Sequence, residues 1–88
     1  MTVHIRIFGS VQGVFFRKFA KVEADKFGIG GWVRNNDDGS VEIMAFEEKD
    51  KLERFIDWCK KGPPLAKVEN VEVDWVKNEA NFFEFDII

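Results

Sequence analysis

Between an alternating apolar run and a helical one lies Gly9-Ser10-Val11-Gln12-Gly13-Val14-Phe15, with helical spacing beginning near Phe16-Arg17. A loop that leaves a strand and enters a helix N-terminus points free backbone N–H groups at one spot. The helix dipole favours negative charge there. Gly13 tolerates φ > 0, which lets consecutive N–H groups converge into a nest that fits a phosphate. Arg17 falls in the first helical turn, close enough to add a bidentate guanidinium fork. The chemistry on offer is anion capture. The spacing has neither the GxxxxGK[ST] pattern nor the third glycine of GxGxxG, and a tight strand-to-helix turn with no ligand fits it equally well.

The second candidate is Asn35, in Gly31-Trp32-Val33-Arg34-Asn35. Strand parity puts it on the face shared by Ile29 and Val33, toward the helices and toward Arg17. An amide there caps the following turn, or it accepts one proton of a water while donating to a phosphate oxygen. Other chemistry is sparse. His4 is the one histidine, with no Ser or Cys partner in register for a nucleophilic triad. One His and one Cys do not make a zinc site, and Asp37 and Asp38 are explained by a turn. Cys59 reads as a small core side chain. Lys18, Lys21 and Arg34 either raise the potential around the loop or are ordinary surface charge, and Trp32, Trp58 and Trp75 read as packing residues.

The chain bounds these options. Its 88 residues make one domain, residues 1–88. With 45% hydrophobic and 15% aromatic residues, one core forms without staples. A single cysteine precludes an intrachain disulfide. No apolar run approaches the roughly 18–20 residues that span a bilayer, and the start MTVHIRIFG has no signal-peptide pattern. The expectation is a cytoplasmic protein. A net charge of −3 and a pI near 5.1 argue against a duplex nucleic-acid binder, which needs clustered Lys and Arg. Any anion must be held by a local positive site working against the global field.

The elements that would position this site follow from periodicity. TVHIRIF alternates as a half-buried strand. FRKFAKVEADKF switches to helical spacing, with Phe16, Phe19, Ala20, Glu23/Ala24 and Phe27 near one face and Gly28 as its stop. IGGWVRN and SVEIMAF are strands joined by Asn36-Asp37-Asp38-Gly39, strong hairpin chemistry. KDKLERFIDWCKK carries Leu52, Phe55, Ile56 and Cys59 on one stripe, and Gly62-Pro63-Pro64 ends it. KVENVEVDWV and NFFEFDII follow, separated by residues 77–80. The order β-α-β-β-α-β-β predicts a ferredoxin-like α+β sandwich, with two helices on one face of a four- to five-stranded, largely antiparallel sheet. Val3, Ile5, Ile7, Val33, Val71, Val73, Phe83, Phe85 and Ile87 are the expected inward set. His4, Arg6, Glu42, Glu72, Asp74, Glu84 and Asp86 are expected on the open face.

The runs GSVQGVFFR, GWVRNNDDGSV and GPPLAKVENVEV, in this order and spacing, resemble the acylphosphatase family, small hydrolases of carboxyl-phosphate anhydrides. The resemblance covers essentially the whole chain. It implies a phosphate cradle from the backbone of Val11, Gln12, Gly13, Val14, Phe15 and Phe16, with Arg17 binding phosphate and Asn35 orienting the water. It also implies a metal-independent reaction with no cofactor, the proton passing to the substrate's own phosphate. The expected partners are a small-molecule acyl phosphate and inorganic phosphate as product and inhibitor, with no nucleic acid and no membrane, and a monomeric chain. Carbamoyl phosphate, a glycolytic acyl phosphate and a protein aspartyl phosphate all suit the cradle. The alternatives are a phosphate-binding regulatory domain without turnover and an RNA-binding module of the same strand and helix order. Asn35 disfavours the first, and the acidic open face disfavours the second.

Overall fold

The computed structural model describes residues 1–77 and 81–88, so most of the connection read at 77–80 lies outside the described residues. The elements are β1 (Thr2–Ser10), α1 (Phe16–Phe27), β2 (Gly30–Asn35), β3 (Val41–Phe46), α2 (Lys49–Lys61), β4 (Lys67–Val76) and β5 (Phe85–Ile87). They form one five-stranded sheet in the order β4-β1-β3-β2-β5. All neighbours are antiparallel except β2 and β5, which run parallel with Val33 opposite Ile87. Alternation dictates the layers. Val3, Ile5, Ile7, Val33, Val41 and Ile43 are buried on one face, against Ala20 and Ala24 of α1 and Leu52, Phe55, Ile56 and Cys59 of α2. Phe55 links the layers, stacking on Trp58 and meeting Phe85 edge-on at 5.9 Å. Phe16 leans on Trp58 at 5.3 Å, which anchors the start of α1 in the core.

Three expectations fail in instructive ways. Phe19 is 41% exposed, because α1 buries the narrow i, i+4 row Phe16, Ala20 and Ala24 and leaves the i+3 position on its flank. Phe83 is 94% exposed: β5 starts only at Phe85, so the period-2 rule does not reach residue 83 or place Glu84 on the open face. Ile87 has the inward parity but is 43% exposed, because β5 is an edge strand and its end overhangs the space beside α1. Val71 and Val73 are only partly buried, packed against the core from the opposite edge.

The open face is a ladder of opposed charges. His4 Nε2 and Glu42 Oε2 are 2.5 Å apart, and Arg34 reaches Glu42 Oε1 through Nη2 at 2.9 Å and Nε at 3.2 Å. Burial alone would raise the Glu42 carboxyl, but the hydrogen bonds from His4 and Arg34 outweigh it and hold the group below its ordinary 4.5. A depressed folded value stabilises the fold above the unfolded value and loses that contribution as pH falls through the folded one. The expected result is that melting temperature drops as acid is added below about pH 4.5, and that Glu42→Gln flattens this part of the profile. A Gln variant with the wild-type acid profile would assign the acid sensitivity elsewhere.

Candidate active site

The segment between β1 and α1 folds as the nest chemistry requires. Gly13 has φ 75° and Phe15 has φ 64°, ψ 23°. Left-handed residues alternating with ordinary ones turn successive N–H groups toward a common point. No atom lies within 4 Å of where a Gly13 Cβ would stand, so glycine is needed there for its backbone and not for space. The first bond into the helix runs from the Phe19 N–H to the Phe15 carbonyl at 3.1 Å. Among the described residues, the N–H groups of residues 12–18 therefore have no backbone acceptor.

The start of α1 contradicts what helix stability alone would select. Its N-cap is Phe15, which offers no side-chain acceptor, where Ser, Thr, Asp or Asn is preferred. Its first turn holds no acidic residue and instead carries Arg17 and Lys18, cations at the positive end of the dipole. Among the described residues Arg17 and Lys18 make no ion pair or hydrogen bond to another side chain. Local rules broken together in one place mark a functional site, and every violation here is one that a bound anion would relieve.

Asn35, the last residue of β2, reaches the same place. Val11, Gly13, Phe15, Phe16, Arg17, Lys18, Asn35 and Ile87 line one cavity of about 320 Å³. The Asn35 Oδ1 atom is buried without a hydrogen-bond partner in the protein. A buried carbonyl oxygen left unmatched costs about 1–3 kcal/mol, so a ligand or water proton is its natural partner. The cavity thus joins an unpaired guanidinium, an unpaired amide oxygen and a run of open N–H groups. It can grip a phosphoryl group and hold a water beside it. The Val14 side chain packs on the core, so Val14 has only its backbone N–H to offer the site.

Gln12 does more than its backbone assignment implied. Its Nε2 donates to the Asn36 carbonyl at 2.7 Å and to the Ser40 carbonyl at 2.9 Å. One side chain thus ties the nest to the β2–β3 hairpin that carries Asn35. That hairpin is braced in turn: Asn36 Nδ2 donates to Ser40 Oγ at 3.0 Å, and Ser40 N and Oγ donate to Asp38 Oδ1 at 2.9 and 2.6 Å. These Ser40 bonds hold the Asp38 carboxyl below its ordinary value, with Arg6 adding to the effect, so Asp38 belongs to the turn. Periodicity could not reveal the strut, since its partners lie 24 and 28 positions away. Gln12→Ala removes both hydrogen bonds, although the Asn36 and Ser40 carbonyls keep the N–H groups of Gly39 and Asn36, and should cost about 0.5–1.5 kcal/mol of stability per bond. It should also slow turnover by loosening the nest against Asn35, as thermal melts and kcat would show.

Of the other cations considered, Lys21 bridges Asp25 at 3.3 Å and donates to the Phe85 carbonyl. Arg34 points to the open face, over the Trp32 ring at 5.0 Å. Only Lys18 joins Arg17 at the cavity. Burial, with the Glu23 charge adding, pushes the Cys59 thiol up, so it stays protonated inside α2's core stripe. Among the described residues no three His, Cys, Asp or Glu side chains converge as a metal site, and no helix is long and apolar enough to cross a membrane.

Comparison with known proteins bears on this geometry. The family model described as Acylphosphatase matches residues 3–87. The acylphosphatase of Pyrobaculum islandicum is 46% identical over 86 residues, which is 97% of this chain and 90% of that protein. That of Thermococcus kodakarensis is 49% identical over 76 residues, covering 86% and 84%. The crystal structure of acylphosphatase from Bacillus subtilis superposes with a TM-score of 0.96 at 39% identity, over 99% of this chain and 97% of that one.

Proposed function

The chain belongs to the acylphosphatase family, and its reaction is therefore hydrolysis of an acyl phosphate to a carboxylate and inorganic phosphate; we propose that the cavity at the start of α1 performs it with Arg17 and Asn35. The N–H groups of residues 11–16 and the Arg17 guanidinium hold the three phosphoryl oxygens. Asn35 accepts one proton of a water through Oδ1 and sets its lone pair in line with the departing carboxylate. The P–O bond to the acyl oxygen breaks as the water oxygen bonds to phosphorus, and the water's proton passes to a phosphoryl oxygen. The carboxylate is a good leaving group, so no strong general acid is needed. What remains is positioning and charge stabilisation, the main demands of phosphoryl transfer. The donors already point at the site and need little reorganisation as charge shifts on the phosphoryl oxygens.

The observation that carries this reading is the buried Asn35 Oδ1 without a protein partner in the cavity that Arg17 lines. A domain that only bound phosphate would not need an amide oxygen there. The reading has the chain acting as a monomer in the cytoplasm: nest, guanidinium and amide come from one chain, and Cys59 is a buried free thiol. The direct test is phosphate release from benzoyl phosphate with and without EDTA. Turnover unchanged by the chelator and inhibited competitively by inorganic phosphate is the expected result. Turnover abolished by EDTA and restored by a divalent cation would overturn the metal-independent mechanism. A phosphate-stabilised protein with no turnover would be a binder.

A further inference from the structure

Phe15 departs from ordinary behaviour twice. It is a non-glycine residue with positive φ, a conformation that costs an L residue about 1–2 kcal/mol, and it is 61% exposed. The backbone conformation is explained by the nest. The exposed ring is not, since Asn or Gly would adopt the same backbone more easily and leave no apolar surface in water. Ile87 lies on the same cavity, 43% exposed. The parallel pairing of Val33 with Ile87 puts it two residues short of the level of Asn35, on the same face of the sheet. Two exposed apolar side chains, from α1's N-cap and an edge strand, therefore border the mouth of a cavity whose polar groups serve the phosphoryl group.

We propose that Phe15 and Ile87 form the acyl-group subsite of this enzyme. It rests on the assignment of the phosphoryl group to Arg17 and the nest. The subsite takes an aromatic or branched aliphatic acyl group and favours it over acetyl or carbamoyl. The carbon end of the substrate must leave the nest through the cavity mouth, because the N–H groups and Arg17 surround the phosphoryl end. An apolar acyl group covers Phe15 and Ile87 and gains from the surface removed from water. A small polar one leaves both exposed. Apolar contacts of this size discriminate by about 10-fold or more in kcat/KM. Lys18, also at the mouth, would instead favour an acyl group carrying its own carboxylate, so the two chemistries can be told apart.

The test compares kcat/KM for benzoyl, acetyl and succinyl monophosphates in the wild type, Phe15→Asn, Ile87→Thr and Lys18→Ala. Asn tolerates the left-handed backbone, and Ile87→Thr leaves the nest untouched should the loop variant fold poorly. Any general damage to the nest affects all substrates alike and cancels in the ratio. The expected result is a wild-type preference for benzoyl over acetyl phosphate that falls about 10-fold in Phe15→Asn and several-fold in Ile87→Thr. A ratio that neither substitution changes would overturn the subsite while leaving the phosphoryl site standing. So would a preference for the succinyl compound that only Lys18→Ala removes. Absence of turnover on all three substrates by the wild type would instead overturn the assignment on which the subsite rests.

Discussion

Arg17→Ala should lose at least 10²–10³ in kcat/KM for any acyl phosphate, the usual effect of removing one transition-state donor, and more because this donor carries a full charge in a bidentate fork. Phosphate affinity should fall with it, so inorganic phosphate would cease to inhibit at concentrations that inhibit the wild type. Stability should move the other way. Arg17 sits in the first turn of α1 with no acidic residue beside it, so its charge opposes the helix dipole. Removing a cation there should raise stability by roughly 0.3–1 kcal/mol. A variant that is slower and slightly more heat-resistant is what a residue kept for chemistry produces. Arg17→Lys separates charge from geometry: an ammonium restores the charge but not the planar fork, so it should recover part of the affinity and little of the rate. Wild-type hydrolysis by Arg17→Ala would remove the residue from the mechanism.

The difference between what the chain announces and what only folding discloses is clear at this site. The ends of α1 and α2 and the hairpin between β2 and β3 were legible because each rests on local chemistry: Gly28, the Gly62-Pro63-Pro64 break and Asn36-Asp37-Asp38-Gly39. The inward parity of Asn35 followed from period 2, and its meeting with Arg17 in one cavity agrees with it. What was illegible depends on pairing between distant segments. That β5 runs parallel to β2, and so brings Ile87 to the cavity, is set by strand order and by where β5 begins. The alternating run 81–88 gives no sign of where pairing starts, so period 2 misplaces Phe83. Gln12 reads as one loop residue among several until the hairpin carbonyls appear beside its amide. Phe15 is hidden for another reason. No propensity would put a phenylalanine in the N-cap with a left-handed backbone, and only the structure shows that it is there.

Asn35→Ala should cut turnover steeply while leaving the phosphoryl site able to bind phosphate. If the amide only aims the water, its loss costs positioning, and a nucleophile misplaced by about 1 Å loses on the order of 10²-fold. The nest and Arg17 are unchanged, so the inhibition constant for inorganic phosphate should stay within about 3-fold of the wild type, well under the 1.4 kcal/mol that a tenfold change represents. The variant should be no less stable, because the substitution removes a buried oxygen that has no partner in the protein. Asn35→Asp sharpens the distinction. A carboxylate still accepts the water's proton, so the water can be held, but its charge faces the phosphoryl oxygens across a small cavity. The expected signature is therefore a raised KM and weakened phosphate inhibition, with kcat falling less than in the alanine variant. If Asn35→Ala instead lost phosphate affinity as steeply as rate, the amide would be a phosphate ligand, and the water would have to be held by the nest itself.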